Sequence, residues 1–272
     1  MNLNTINEVR RPSSASEVTH WRDGYAWLAG GTWLFSEPQL ATEVLIDLES
    51  LHWPALTASD EGLEIAATCR IVDLDRFEAP AAWRAAPLLR DCCLSFLASF
   101  KVWNAATVGG NICMSLPAGP MTSLMVALEA RYTLWPRDRP ARVVPAADFI
   151  TGDHRNVLGP GELLRSIHVP AEALRKQYAF RRLSLTKHGR SAVLLVGTRG
   201  PATGAVLVTV TAATVRPIQV RFATAPSPAE LRLALEAAIP DALYLDDVHG
   251  SPAYRRRLTY YFAEQIRAEL CT

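Results

Sequence analysis

The sequence lacks the cysteine and histidine patterns of a metal site. The five cysteines are Cys69, Cys92, Cys93, Cys113 and Cys271, and they form no CxxC pair. The six histidines are scattered, and none lies within metal-ligand spacing of another. Both observations argue against a zinc or iron–sulfur site held by this chain. An odd number of cysteines without a secretory signal also argues against a disulfide framework.

Strong net charge and long apolar runs are also missing. The formal net charge is +1, and no basic patch is interleaved with aromatic residues, which disfavours nucleic-acid binding. No uninterrupted apolar run is long enough to span a bilayer. The N-terminal segment MNLNTINEVRRPSSASEV has no apolar core of a signal peptide, so we expect a cytoplasmic protein. We interpret the basic run at residues 255–257 as a solvated helix face.

What is present is the composition of a globular protein, with 49% hydrophobic and 20% charged residues in a chain of 272. This length favours two or three compact units. Residue patterns predict strands at 27–29, 44–48, 63–68, 131–135 and 163–169, helices at 88–100 and 120–130, and a turn at 136–140. Beyond residue 170 they predict strands at 192–196, 205–211 and 217–223, then helices at 228–238 and 252–270. Strands followed by terminal helices indicate a separate α+β unit that begins near residues 170–178.

Two diglycine segments are the strongest local signals. Gly30 and Gly31 follow a predicted strand, and Gly109 and Gly110 stand between two predicted helices. Glycine pairs allow successive N–H groups to turn toward one anion, and a helix N-terminus favours an anion too. Two such segments would suit a pyrophosphate, with side-chain hydrogen bonds from Thr32, Thr107 and Asn111. A diglycine pair is often only a turn, and no Walker or GxGxxG motif is present, so these residues alone indicate only a possible anion or nucleotide site.

Four blocks in order carry a resemblance to a known family. They are AGGTWL at 29–34, TVGGNICMSLP at 107–117, DFITGDHRNVLGPGELLRSIHVP at 148–170 and DVHGSPAYRRRL at 247–258. They resemble the FAD-binding medium subunit of molybdenum hydroxylases, the family of carbon monoxide dehydrogenase medium chains and of the xanthine dehydrogenase FAD domain. The resemblance extends over nearly the whole chain.

The resemblance implies an α+β fold and a non-covalently bound FAD. It implies a two-lobed FAD-binding domain of the vanillyl-alcohol-oxidase (PCMH) type over residues 1–172, with subdomains that split near 50–55. A small C-terminal α+β domain of the carbon monoxide dehydrogenase flavoprotein type follows over residues 173–272.

The resemblance also implies which residues contact FAD. They are Leu28, Ala29, Gly30, Gly31, Thr32, Trp33 and Leu34 in the first segment, Thr107, Val108, Gly109, Gly110 and Asn111 in the second, and Leu97, Leu164 and Arg181 elsewhere. For Leu97 and Leu164, plain core packing is an equal alternative. Arg181 matches a lysine of relatives and is otherwise a surface cation, and Arg182 is the alternative if the register shifts by one.

Two positions depart from the family pattern. Trp33 stands where relatives often have an acidic residue, and Pro120 where they usually have an aspartate available to a ribose or ribityl hydroxyl. Loss of one such bond weakens binding by about 1–3 kcal/mol, or about one to two orders of magnitude in affinity. Thr122 and Ser123 are candidates to replace the aspartate.

The resemblance implies an oxidoreductase subunit that transfers electrons. A large partner subunit would bind molybdopterin and hydroxylate the substrate, and a small one would carry two-iron two-sulfur clusters. Electrons would reach FAD on this chain and leave to NAD, oxygen or another acceptor. A stand-alone flavin oxidase is one alternative. A degenerate scaffold without FAD is another, suggested by Trp33 and Pro120.

Overall fold

The secondary structure is taken from a computed structural model that describes residues 3–18, 20–136 and 139–271. The strands in this part of the chain are β1 (Glu8–Arg10), β2 (Tyr25–Leu28), β3 (Val44–Asp47), β4 (Leu56–Ser59), β5 (Gly62–Ala66), β6 (Arg131–Trp135), β7 (Arg142–Pro145), β8 (Ile150–Gly152), β9 (Arg155–Asn156), β10 (Leu163–Pro170), β11 (Gln177–Leu183), β12 (Val193–Arg199), β13 (Val206–Thr211) and β14 (Ile218–Phe222). The helices are α1 (Ile71–Asp75), α2 (Pro87–Leu94), α3 (Phe100–Trp103), α4 (Val108–Cys113), α5 (Pro120–Ala127), α6 (Ala146–Phe149), α7 (Ala171–Leu174), α8 (Pro228–Ala238) and α9 (Pro252–Cys271).

The first sheet has three parallel strands in the order β1-β3-β2. Its central strand begins with Val44, Leu45 and Ile46, all buried. Parallel neighbours need a long connection, and here the segment between β2 and β3 carries the first diglycine pair. The chain therefore continues from the edge strand β2 directly into Ala29 and Gly30.

The second sheet is antiparallel in the order β4-β5-β10-β6-β7. Its apolar face packs with α2, α4 and α5 in one large hydrophobic core. Every residue of α5 is buried. A helix that is buried on every side lies inside the protein rather than on its surface.

The third sheet is an antiparallel meander, β11-β12-β13-β14. The helices α8 and α9 pack against this sheet in a second hydrophobic core. The helix α5 also contacts the sheet, at β12 and β13. Along β13, Val208 and Val210 belong to the α8–α9 side, while Thr211 faces α5 and bonds Ser123 Oγ at 2.7 Å. Every residue of β13 is buried, because the sheet is covered on both faces.

The α+β fold class is confirmed, and the structure adds elements that the sequence did not predict. The strands β1, β4, β7 and β11 are among the additions. The helix predicted at 88–100 ends at Leu94, and the chain turns through Leu97 at φ +41° before α3. The segment between two predicted helices, at 107–113, is itself the helix α4. The turn predicted at 136–140 includes residues 137 and 138, which lie outside the described residues.

The interpretation of residues 255–257 as a solvated face is wrong for Arg255. Its side chain is buried and donates to the carbonyls of Ala192 and Ala212, both at 2.6 Å, and to Asp247. Burial of an arginine is tolerated only when its N–H groups find acceptors, and here three segments supply them. Arg257 is exposed, as predicted.

In the part of the chain that the structure describes, no helix combines the length and apolar character needed to cross a membrane.

Candidate functional site

A cavity with a volume of about 530 Å³ lies where several separate segments of the chain meet. Residues 27–34, from the end of β2 onward, form one wall, and one face of α4 forms another. Residues 95–97 after α2, part of the segment 116–120, and His188, Arg190 and Ser191 between β11 and β12 also line it. This volume falls in the usual range for small-molecule and cofactor sites. The wall is mixed: Phe96, Leu97 and Val102 are apolar, while Thr107 and Asn111 are polar.

The first diglycine segment forms a turn with backbone N–H groups that donate no hydrogen bond within the described chain. Phe35 N donates to Gly31 O at 2.8 Å, and Ser36 N donates to Trp33 O at 2.9 Å. Within residues 3–18, 20–136 and 139–271, the backbone N–H groups of residues 30–34 have no acceptor. Gly31 adopts φ +67°, and a Cβ there would lie 2.5 Å from the Phe35 ring. Glycine is thus required at this position by conformation and by packing.

The two diglycine segments lie side by side. A Cβ built on Gly30 would lie only 1.7 Å from the carbonyl oxygen of Ala105, two residues before Thr107. This contact between main chains admits glycine alone. It explains why one cavity is lined by both segments, which are separated by more than 70 residues in the sequence.

The second segment contributes side chains rather than free amides. Thr107 caps α4 by accepting from Gly110 N at 3.1 Å. The amides of Val108 and Gly109 donate to the carbonyls of Cys69 and Ala67 at 2.8 and 3.0 Å. The expectation that both glycine pairs aim main-chain N–H groups at one anion is therefore wrong for the second pair.

Helical spacing decides which residues of α4 reach the cavity. Thr107, Gly110, Asn111 and Met114 line it, and their spacing of three and four places them on one face. Gly109 points away, where a Cβ would lie 2.5 Å from Cβ of Ala67.

Of the residues named from the resemblance, most border this cavity. Those that line it are Leu28, Ala29, Gly30, Gly31, Thr32, Trp33, Leu34, Leu97, Thr107, Gly110 and Asn111. Val108, Gly109 and Leu164 are buried away from it.

Arg181 also lies off the cavity wall. Its guanidinium bonds Gln265 at 2.8 Å and Glu269 at 2.6 Å, both on α9. Its neighbour Arg182 donates to Ser191 Oγ at 2.7 Å and to Gly189 O at 2.8 Å. Burial lowers the pKa of Arg182. This residue holds the 188–191 wall in place without lining the cavity itself.

Sequence reasoning missed His188, Arg190 and Ser191, which line the cavity. They come from the connection between β11 and β12, in the C-terminal part of the chain. No motif marks them, because their position depends on how the third sheet packs against α5. Of the three, Arg190 brings a positively charged side chain to the cavity wall.

The surroundings of Pro120 differ from an aspartate site. Gly119 precedes α5, Pro120 occupies its first turn, and Asn111 Oδ1 accepts from Met121 N at 3.2 Å. Ser123 Oγ is committed to Thr211 Oγ1 at 2.7 Å and to Gly119 O at 3.1 Å.

Thr122, unlike Ser123, keeps an unused hydroxyl close to Pro120. Its hydroxyl is buried and has no partner among the described residues. A Cβ on Gly119 would lie 3.5 Å from Thr122 Oγ1 and 3.5 Å from Asn111 Oδ1. The position that a Cβ of Gly119 would occupy therefore adjoins an unused hydroxyl. A native protein rarely leaves a buried hydroxyl without a partner.

Cys113 gives the cavity a neutral thiol. Burial raises its pKa to about 12, so it stays protonated at neutral pH. Among the described residues, no group of three or more His, Cys, Asp or Glu is placed to hold a metal ion.

Comparison with known proteins places the chain. The family described as the FAD binding domain in molybdopterin dehydrogenase matches residues 5–172. The carbon monoxide dehydrogenase medium chain of Hydrogenophaga pseudoflava is 31% identical over 161 residues, which are 57% of this chain and 54% of that protein. Xanthine dehydrogenase 1 of Arabidopsis thaliana is 29% identical over 139 residues, 48% of this chain and 10% of that protein.

Solved structures share the whole fold. Carbon monoxide dehydrogenase from Oligotropha carboxidovorans superposes with a TM-score of 0.82 at 22% identity, covering 98% of this chain and 99% of that chain. Quinoline 2-oxidoreductase from Pseudomonas putida 86 gives 0.80 at 21% identity, covering 99% and 98%. These likenesses show the fold, and the family match adds the class, an FAD-binding domain. More specifically, the chain belongs to the family of FAD-binding domains in molybdopterin dehydrogenases, and the resemblance seen in the sequence is confirmed.

Proposed function

We propose that this chain is the FAD-binding electron-transfer subunit of a molybdenum-containing hydroxylase. It receives electrons from two-iron two-sulfur clusters of a small partner subunit and delivers them to NAD, oxygen or another external acceptor. A large partner subunit binds molybdopterin and hydroxylates the substrate. A cytoplasmic location, an FAD domain at 1–172 with subdomains that split near 50–55, and a C-terminal domain at 173–272 belong to the same proposal.

The observation that carries the proposal is the row of free amides on the cavity wall. The N–H groups of residues 30–34 face no protein acceptor in the described chain, and these residues border the 530 Å³ cavity of a domain from an FAD-binding family. Successive inward amides bind anions, and the pyrophosphate is the anionic part of FAD. In this proposal, Gly30, Gly31 and Thr32 form the pyrophosphate cradle.

The remaining wall also fits FAD. Thr107 and Asn111 offer polar groups for hydroxyls or ring heteroatoms, and Phe96, Leu97 and Val102 offer apolar contact to a flat ring system. Arg190 supplies positive charge. This mixture of apolar walls and few convergent polar groups is typical of cofactor sites.

Bound FAD supplies the redox chemistry, since flavins transfer hydride and also single electrons. The residues of this chain bind it, orient it and exclude water. The Cys113 thiol is neutral at physiological pH and adds no charge that would alter the potential of the site.

Reconstitution of the purified 272-residue chain with FAD tests the cofactor, and co-purification tests the partners. We expect one equivalent of FAD with flavin absorption bands, and recovery of a molybdopterin-binding and an iron–sulfur subunit after co-expression. Substrate-driven bleaching of flavin in the isolated chain, without partners, would instead favour a stand-alone flavin oxidase. Absence of flavin bands after addition of FAD would favour an FAD-free scaffold.

A further inference from the structure

Trp33 is a partly exposed aromatic residue on the cavity wall. The residue lines the cavity and leaves 41% of its surface exposed. Its backbone is nevertheless fixed, because its carbonyl accepts from Ser36 N at 2.9 Å and Ser36 Oγ at 2.8 Å. The indole on this fixed backbone therefore keeps part of its apolar surface available for a ligand in the cavity.

His154 holds the indole from a separate element. The two ring centroids lie 6.0 Å apart with planes tilted by 45°. His154 sits in the hairpin between β8 and β9 at φ +52°, and its amide donates to Ser115 O at 3.1 Å. Asn156 fastens the hairpin to the end of α4 by donating to Cys113 O at 3.0 Å and Ser115 Oγ at 2.9 Å. The Trp33–His154 contact therefore bridges the first loop and the wall formed by α4.

One turn thus carries two features that a nucleotide requires. The amides of residues 30–34 are free to bind phosphate oxygens, and the indole of Trp33 projects from the same turn. In a dinucleotide, flat rings lie within a few bonds of the phosphates. Stacking on an aromatic side chain contributes about 1–3 kcal/mol for a nucleobase, whatever its identity.

We propose that Trp33 stacks against a planar ring of the dinucleotide bound in the cavity, and that His154 is a positioning residue that holds the indole for this contact. The inference deepens the proposed function and rests on it. The planar ring is either the isoalloxazine or the adenine of FAD, since both offer the same flat aromatic face.

The test uses the 272-residue chain freed of flavin and titrated with FAD by calorimetry. Trp33→Leu keeps an apolar side chain but removes the aromatic plane, whereas Trp33→Phe keeps a plane. We expect the FAD Kd to rise about 5- to 150-fold in Trp33→Leu and to stay close to the unsubstituted value in Trp33→Phe. An unchanged Kd in Trp33→Leu, or an equal loss in both variants, would overturn the proposal.

Titrations with FMN and with ADP identify the ring. Weaker FMN binding by Trp33→Leu assigns the stacked ring to isoalloxazine, and weaker ADP binding assigns it to adenine. If Trp33→Leu binds both FMN and ADP as tightly as the unsubstituted chain does, the stacking proposal is overturned. Thermal unfolding of each flavin-free variant verifies that the variant is folded.

For His154, we expect His154→Ala to weaken FAD binding less than Trp33→Leu does, and His154→Phe to restore it. Failure of rescue by phenylalanine would remove the positioning role. If the unsubstituted chain does not bind FAD, the proposed function itself fails, which is a different outcome from normal FAD binding that is insensitive to position 33.

Discussion

Single residues around the cavity are specified by close contacts. Gly30 touches the main chain at Ala105, and Gly31 combines a positive φ with contact to Phe35. Neither position has room for a β-carbon, so these glycines shape the loop whether or not a ligand is bound. By contrast, Thr122 has a hydroxyl without a partner among the described residues, and Trp33 has a partly exposed ring.

Thr122→Val tests the unused hydroxyl. Replacing an unpartnered buried hydroxyl with a methyl group should leave the thermal midpoint of the flavin-free chain unchanged or higher, because no hydrogen bond is lost. If FAD uses this hydroxyl, its Kd should rise about tenfold. Thr122→Ser, which keeps the hydroxyl, is the matched control. A Kd that is equal in all three proteins would assign Thr122 no role in binding.

At the scale of elements, the two adjacent glycines of α4 face different surroundings. Gly109 is pressed against Ala67, whereas Gly110 borders the cavity and a Cβ there meets only Thr107 Oγ1 at 2.9 Å. The short helix thus uses one face to pack on the segment after β5 and the other to line the cavity.

Alanine substitutions at the two positions should affect different properties, stability at Gly109 and FAD binding at Gly110. Gly109→Ala overpacks the contact with Ala67 and should lower the free energy of unfolding by about 1–3 kcal/mol. Gly110→Ala should change stability little, since the better helix propensity of alanine offsets the contact with Thr107, but should weaken FAD binding by narrowing the cavity. Urea unfolding and FAD titration measure the two effects. Equal behaviour of the two variants would contradict this account of α4.

The segment behind the β8–β9 hairpin is held by an ion pair. Arg142 donates to both carboxylate oxygens of Glu162 at 2.7 Å and to Val157 O at 2.9 Å. The bond from Arg142 holds the pKa of Glu162 below its ordinary value of 4.5, although burial of the carboxyl opposes this. The chain between the hairpin and β10 is therefore fastened by a charged group.

This ion pair should make stability depend on pH in the acid range. A lowered carboxyl pKa contributes stability that is fully present above about pH 4.5 and is lost as the pH falls through the pKa of the folded state. The difference in unfolding free energy between the unsubstituted chain and Glu162→Gln should be constant near neutrality and shrink below that pH. A difference that persists unchanged in acid would show that Glu162 acts without its charge.

At the scale of the whole molecule, α5 and Arg255 join the third sheet to the cavity. Ser123 on α5 bonds Thr211, and Ala212 N donates to Pro117 O at 2.9 Å, close to the cavity wall. Arg255 then ties Ala212 to Ala192, the neighbour of the cavity residue Ser191. The position of the 188–191 wall thus depends on packing of the C-terminal part.

Arg255→Met should be strongly destabilising, by about 3 kcal/mol, because two buried carbonyls lose their donor. The adjacent Arg256→Met is the control, since Arg256 pairs with Asp241 at the surface, and its midpoint should barely move. Chemical denaturation of the flavin-free proteins compares them. Similar midpoints for the two variants would refute the structural role assigned to Arg255.

The sequence predicts local features better than those set by packing. The first glycine loop and the boundaries of β6 and α8 follow from neighbouring residues, and the sequence predicts them well. The conformation of α4 and the burial of Arg255 depend on contacts with distant segments, which a diglycine pair or an arginine run does not reveal. Arg190 and Ser191 reach the cavity only because the third sheet packs on α5, so no local pattern marks them.

The central claim is that the free amides of residues 30–34 bind the pyrophosphate of FAD. Calorimetric titration of the 272-residue chain with FAD and with riboflavin, which lacks the pyrophosphate, tests it most directly. Hydrogen bonds to a charged group contribute about 1.5–3 kcal/mol each, so two such bonds predict FAD binding at least about 100-fold tighter than riboflavin binding. Equal affinity for the two ligands, or no binding of FAD, would contradict the account.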